Sequence, residues 1–107
     1  MDMLSIDFDE ELAYKVCNTA FSALEVTLPE ILDEAVWEKL AIIKELTYPL
    51  PLVVAVSPSW IEGDLEEILT RIAVSAAVGI SLNKEIYKPF LSQLIRSNNL
   101  GLTILQK

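Results

Sequence analysis

The stretch DLEEILTRIAVSAAVGISL, residues 64–82, decides how the chain is read, because it is its longest segment that is both strongly apolar and cleanly bounded. Asp64 and Glu67 have the D-x-x-E spacing at which a side-chain oxygen caps the first free N–H groups of a helix while the glutamate supports the first turn. Leu65, Ile68, Leu69, Ile72, Ala73, Ala76, Val78 and Ile80 then cover more than one face, the pattern of a helix touched on several sides. The small residues Ala73, Ala76, Ala77 and Gly79 allow a neighbouring backbone to come close. The spacing therefore predicts a central helix over 64–82.

Outward from it, residues 5–25 read as an amphipathic helix, with Phe8, Leu12, Val16, Ala20 and Leu24 recurring every four positions. The acids Asp7, Asp9, Glu10 and Glu11 suit its first turn, where the helix dipole favours negative charge; the glycine and distal glutamate of a calcium-binding EF-hand loop are missing. A T-x-x-E box at Thr27 and Glu30, with Pro29 in the first turn, predicts a second helix to about residue 46. Trp37 lies at the edge of its apolar face as a core flank. Residues 47–63 hold three of the five prolines, and Leu52 to Val56 suits a strand or a short buried helix equally well. Ser57-Pro58-Ser59-Trp60 is a turn with Trp60 as its plug. A further helix capped by Ser81 or Asn83 meets Pro89, which demands a bend or two short pieces joined at Lys88. Asn98, Asn99 and Gly101 end it, and the apolar tail 102–105 is a short strand or a docking segment. These readings together predict one all-α domain over residues 1–107, a bundle of four to five helices around 64–82.

The chain has 107 residues, 52% of them hydrophobic, enough for one domain with a core. Its apolar runs fall far short of the ~20 residues that cross a bilayer. The first residues are acidic where a secretory signal is basic, and the single cysteine, Cys17, fits a reducing compartment, so a cytoplasmic location is expected. With no histidine in the chain, the usual general base and zinc ligand are missing. Cys17 lies on the inner stripe of the first predicted helix, as a small buried hydrophobe. No phosphate-cradling G-x-x-x-x-G-K occurs. The sequence points to a non-enzyme with neither cofactor nor metal.

The net charge of −8 is unevenly spread. Residues 1–70 hold 15 acidic and 3 basic side chains, and residues 71–107 hold 1 acidic and 5 basic. On a continuous helix Lys84, Lys88 and Arg96 stand in a loose row, at rises of about 6 and 12 Å, which can follow a phosphate backbone without reading bases. Arg71, Lys84, Lys88 and Arg96 are thus the candidate nucleic-acid contacts. A second reading uses the acidic half, Asp7 to Glu67, as a protein-protein adaptor or inhibitor docked on a basic partner. A third, an enzyme built on carboxylates alone such as Glu66 and Glu67, has no second group placed to tune a pKa.

Residues 46–96, LTYPLPLVVAVSPSWIEGDLEEILTRIAVSAAVGISLNKEIYKPFLSQLIR, resemble in texture the helical C-terminal region of the large subunit of type I-D CRISPR surveillance complexes, a region also made separately as a small subunit. The resemblance implies an antiviral-defence role: a helical-bundle subunit, present in several copies among other protein subunits, that steadies target DNA or RNA through backbone contacts and catalyses nothing. Arg71, Lys84, Lys88 and Arg96 are the residues of the type that role needs. Within such an assembly the acidity of residues 1–70 implies basic protein neighbours.

Overall fold

The computed structural model of the chain describes residues 3–9, 11, 22–75 and 77–106. Five strands form one sheet: β1 (Met3–Asp7), β2 (Ala23–Thr27), β3 (Leu52–Ala55), β4 (Gly79–Leu82) and β5 (Thr103–Gln106). Every adjacent pair is parallel, and the order across the sheet is the order along the chain. Helices α1 (Glu34–Thr47), α2 (Leu65–Val74) and α3 (Lys88–Ser97) carry the chain from β2 to β3, from β3 to β4 and from β4 to β5. The protein is therefore a mixed α/β fold, which corrects the expected all-α helical bundle and with it the architecture implied by the CRISPR resemblance.

The segment that led to the helical reading is itself divided. Its first half is helical, as α2, and the Asp64 carboxylate accepts from the Glu67 N–H at 3.4 Å. The helix ends at Ser75, whose N–H bonds back to Arg71 O, and Gly79 to Leu82 enter the sheet as β4 with every residue buried. A strand buried on both faces shows an unbroken apolar run, which periodicity cannot tell from a buried helix. The same ambiguity explains Leu52–Ala55, now β3, while the tail forms β5, a partly exposed strand paired on one side with β4.

Residues 5–25 are not one helix either. Met3–Asp7 is β1 and Ala23–Thr27 is β2; residues 10 and 12–21 of that expected helix, Cys17 among them, lie outside the described residues. Leu4, Ile6 and Phe8 alternate with polar positions, as do Leu24, Val26 and Leu28, so a period of two underlies the spacing of four. Because β2 runs through Thr27, the next helix starts later than its T-x-x-E box suggests. Asp33 caps α1, accepting from the Val36 N–H at 3.2 Å. Pro89 stands in the first turn of α3, after a separate 3-10 turn at Glu85–Tyr87, where its missing N–H breaks no hydrogen bond. Asn99 and Gly101 take positive φ of 52° and 71° after that helix.

One sheet face and the three helices enclose the core: Leu24, Val26, Leu52, Val54, Ile80 and Leu82 pack with Leu40, Ile43, Leu69, Ile72, Leu91 and Ile95. Right-handed crossovers that always advance in the same direction put their helices on the same side of the sheet. On the opposite face Ser5, Glu25, Val53, Gly79 and Thr103 form a row across the strands. Glu25 is 1% exposed there. Ser5 Oγ donates to its Oε1 at 2.7 Å, and Ser81 Oγ, reaching across β3, donates to its Oε2.

Candidate functional site

Doubly wound sheets bind ligands where the strand order reverses, opening a crevice at the carboxyl ends of the strands. Among the described strands the order never reverses, so this sheet has no such switch point. A hollow lies instead between helix starts. A groove of about 610 Å³ is lined by the approach to α1, the 3-10 turn Pro58–Glu62 and the first two turns of α2.

Its chemistry follows from the topology. Each helix begins just past the carboxyl end of a strand, so in a parallel sheet the helix N-termini line up along one edge. First turns favour acids because free N–H groups and the helix dipole present positive charge there. Asp33 and Glu34 serve α1, and Glu67 serves α2. The fold gathers these local choices, with Glu30, onto one groove. Trp37 and Trp60 complete its walls and are 8% and 3% exposed, in keeping with the core flank and the plug expected of them.

One cation enters the groove. Arg71, a turn and a half into α2, donates from Nη2 to Glu34 Oε1, and its guanidinium carbon stands 5.9 Å from the centroid of the Trp37 ring. This pair joins residues 37 positions apart. The side chains of Arg71 and Glu34 are 41% and 71% exposed, so the bond is a surface ion pair that solvent largely screens. Trp60 lines the same groove, and its indole Nε1 is buried and has no hydrogen-bond partner among the described residues.

The four candidate nucleic-acid contacts are thus not one array. Arg71 belongs to the acidic groove. Lys84 is exposed in the turn after β4, Lys88 opens α3 and Arg96 stands in its last turn, both exposed. The 3-10 turn between Lys84 and Lys88 interrupts the continuous helix that a row of three requires. Lys88 and Arg96 share α3, roughly 12 Å apart along its axis and about 80° apart around it. Glu34 falls within the acidic half, Asp7 to Glu67, that the adaptor reading uses, without being singled out there, and Trp60 is read from the sequence only as a plug.

Among the described residues no group of three or more Asp, Glu, Cys or His is arranged to hold a metal ion, and no helix is long and apolar enough to cross a membrane. Comparison with family models, with curated proteins and with solved structures finds no match for the chain.

Proposed function

We propose that this chain is a non-catalytic binding module whose acidic groove docks on a basic segment of a protein partner. The observation that carries the reading is the placement of Arg71: the groove holds a guanidinium against a carboxylate and beside an indole ring, the combination by which a surface recognises a cationic side chain. Glu30, Asp33 and Glu67 surround that position with further negative charge. A reducing, cytoplasmic setting belongs to the same reading, supported by the single cysteine.

A second reading keeps the subunit of a nucleoprotein complex that contacts DNA or RNA backbone without sequence preference. It is favoured by the exposure of Lys84, Lys88 and Arg96, which follow β4 on the β5 side of the sheet. Titration against a lysine- and arginine-rich peptide and against a single-stranded oligonucleotide separates the two. The first reading expects the triple change Glu30→Lys, Glu34→Lys, Glu67→Lys to abolish peptide binding while Lys84→Glu, Lys88→Glu, Arg96→Glu leaves it intact. Oligonucleotide binding lost only in the second triple variant, with no peptide binding by the parent protein, reverses the choice.

A further inference from the structure

Two features of the groove ask for more than positive charge. Arg71 occupies the cation position from within the chain, held among the described residues by an exposed ion pair and the Trp37 ring. Trp60, 3% exposed, lines the same groove with a buried N–H that has no acceptor among the described residues. A bare amine or a polyamine answers the carboxylates and offers nothing to the indole. A peptide answers both, since it brings a cationic side chain and backbone carbonyls together.

We infer that the ligand of this groove is an arginine-bearing peptide segment that displaces Arg71, its guanidinium taking the place between Glu34 and the Trp37 ring and one of its carbonyls accepting from Trp60 Nε1–H. The inference rests on the binding-module reading and names its ligand. Arginine is preferred to lysine because a planar guanidinium forms a fork to a carboxylate and stacks on an indole, whereas an ammonium is a compact, strongly hydrated point charge. Arg71 is then a tethered competitor. An exposed pair of this type holds by a factor of up to about five, so removing it strengthens peptide binding by up to about fivefold.

The test titrates the full chain with the peptide acetyl-Gly-Arg-Gly-Arg-Gly-amide, with its citrulline twin, which keeps the carbonyls and loses the charge, and with methylguanidinium, which keeps the charge and loses the carbonyls. The two tryptophans give two indole N–H signals in a nitrogen-15 NMR spectrum. The arginine peptide is expected to move both signals saturably, methylguanidinium to move that of Trp37 alone, and the citrulline peptide to move neither. Arg71→Gln is expected to tighten peptide binding and Trp60→Phe to weaken it several-fold. Lys44→Gln, the same loss of charge on α1 away from the groove, is expected to change nothing. If Arg71→Gln tightens binding no more than Lys44→Gln, or if Trp60→Phe binds as the parent does, the inference falls. If in those same titrations a lysine-rich peptide still binds and is lost in Glu34→Gln, the binding-module reading survives without it; if no basic peptide binds at all, that reading falls too.

Discussion

Glu25 shows how one residue can be satisfied by a fold and be nearly invisible in a sequence. It closes the helix expected over residues 5–25; in the sheet it is buried and accepts from hydroxyls on β1, the adjacent strand, and on β4, which lies beyond β3 on the other side. A buried carboxylate is tolerated only with such partners, and removing it leaves the donors unpaired. Glu25→Ala is expected to destabilise the protein by about 1–3 kcal/mol, more than Ser5→Ala, because it strands two hydroxyls at once. Urea denaturation of both variants checks this, and equal midpoints would show that the serines are satisfied without Glu25. Neither Ser5 nor Ser81 could be matched to Glu25 beforehand, since 20 and 56 residues separate them from it.

At the scale of elements, the pairing of β4 with β5 is the join that the helical reading of residues 64–82 concealed. Gly79 faces Thr103 in the parallel register, and the Thr103 N–H donates to Val78 O at 3.0 Å. A Cβ on Gly79 would stand 2.5 Å from the Thr103 carbonyl oxygen, closer than real side chains approach a backbone atom. Glycine at this position thus reflects the neighbouring strand and not a turn. Gly79→Ala forces β5 away from β4 and is expected to cost about 1–3 kcal/mol, with the loss of protection falling first on the amides of residues 103–106 in hydrogen exchange. Uniform loss of protection across the whole sheet would place the strain elsewhere. The same glycine had been counted as a small residue on a helix face, where its lack of a side chain also permits close approach; both readings saw the proximity and only the fold identifies the neighbour.

For the whole molecule, an in-order sheet converts position along the chain into position across the structure. Early described residues lie towards the β1 edge and late ones towards the β5 edge, so the imbalance among them, 13 acidic to 2 basic before position 71 against 1 to 4 from Arg71 onward, becomes a charge gradient in space. The groove near α1 and α2 inherits its negative sign from that gradient and from the alignment of helix starts. Binding of a basic peptide is accordingly expected to weaken steeply between 0.1 and 1 M salt, over which the screening length shrinks from ~10 to ~3 Å. Calorimetric titration across that range checks it, and an affinity indifferent to salt would mean that the tryptophans and not the carboxylates hold the ligand.

The sequence by itself determined what is decided within a few residues: the Asp64 cap and start of α2, the break before Pro89, the Asn99–Gly101 exit of α3, the burial of Trp37 and Trp60, and the charge asymmetry. Only the tertiary structure decided that Leu52–Ala55, Gly79–Leu82 and Thr103–Gln106 are strands, and that Arg71 meets Glu34 while Lys84, Lys88 and Arg96 stand apart. The reason is physical. Caps and turns are bonds between near neighbours and leave a local pattern, whereas a doubly buried parallel strand carries the same apolar run as a buried helix and takes its hydrogen bonds from residues some 20 to 30 positions away.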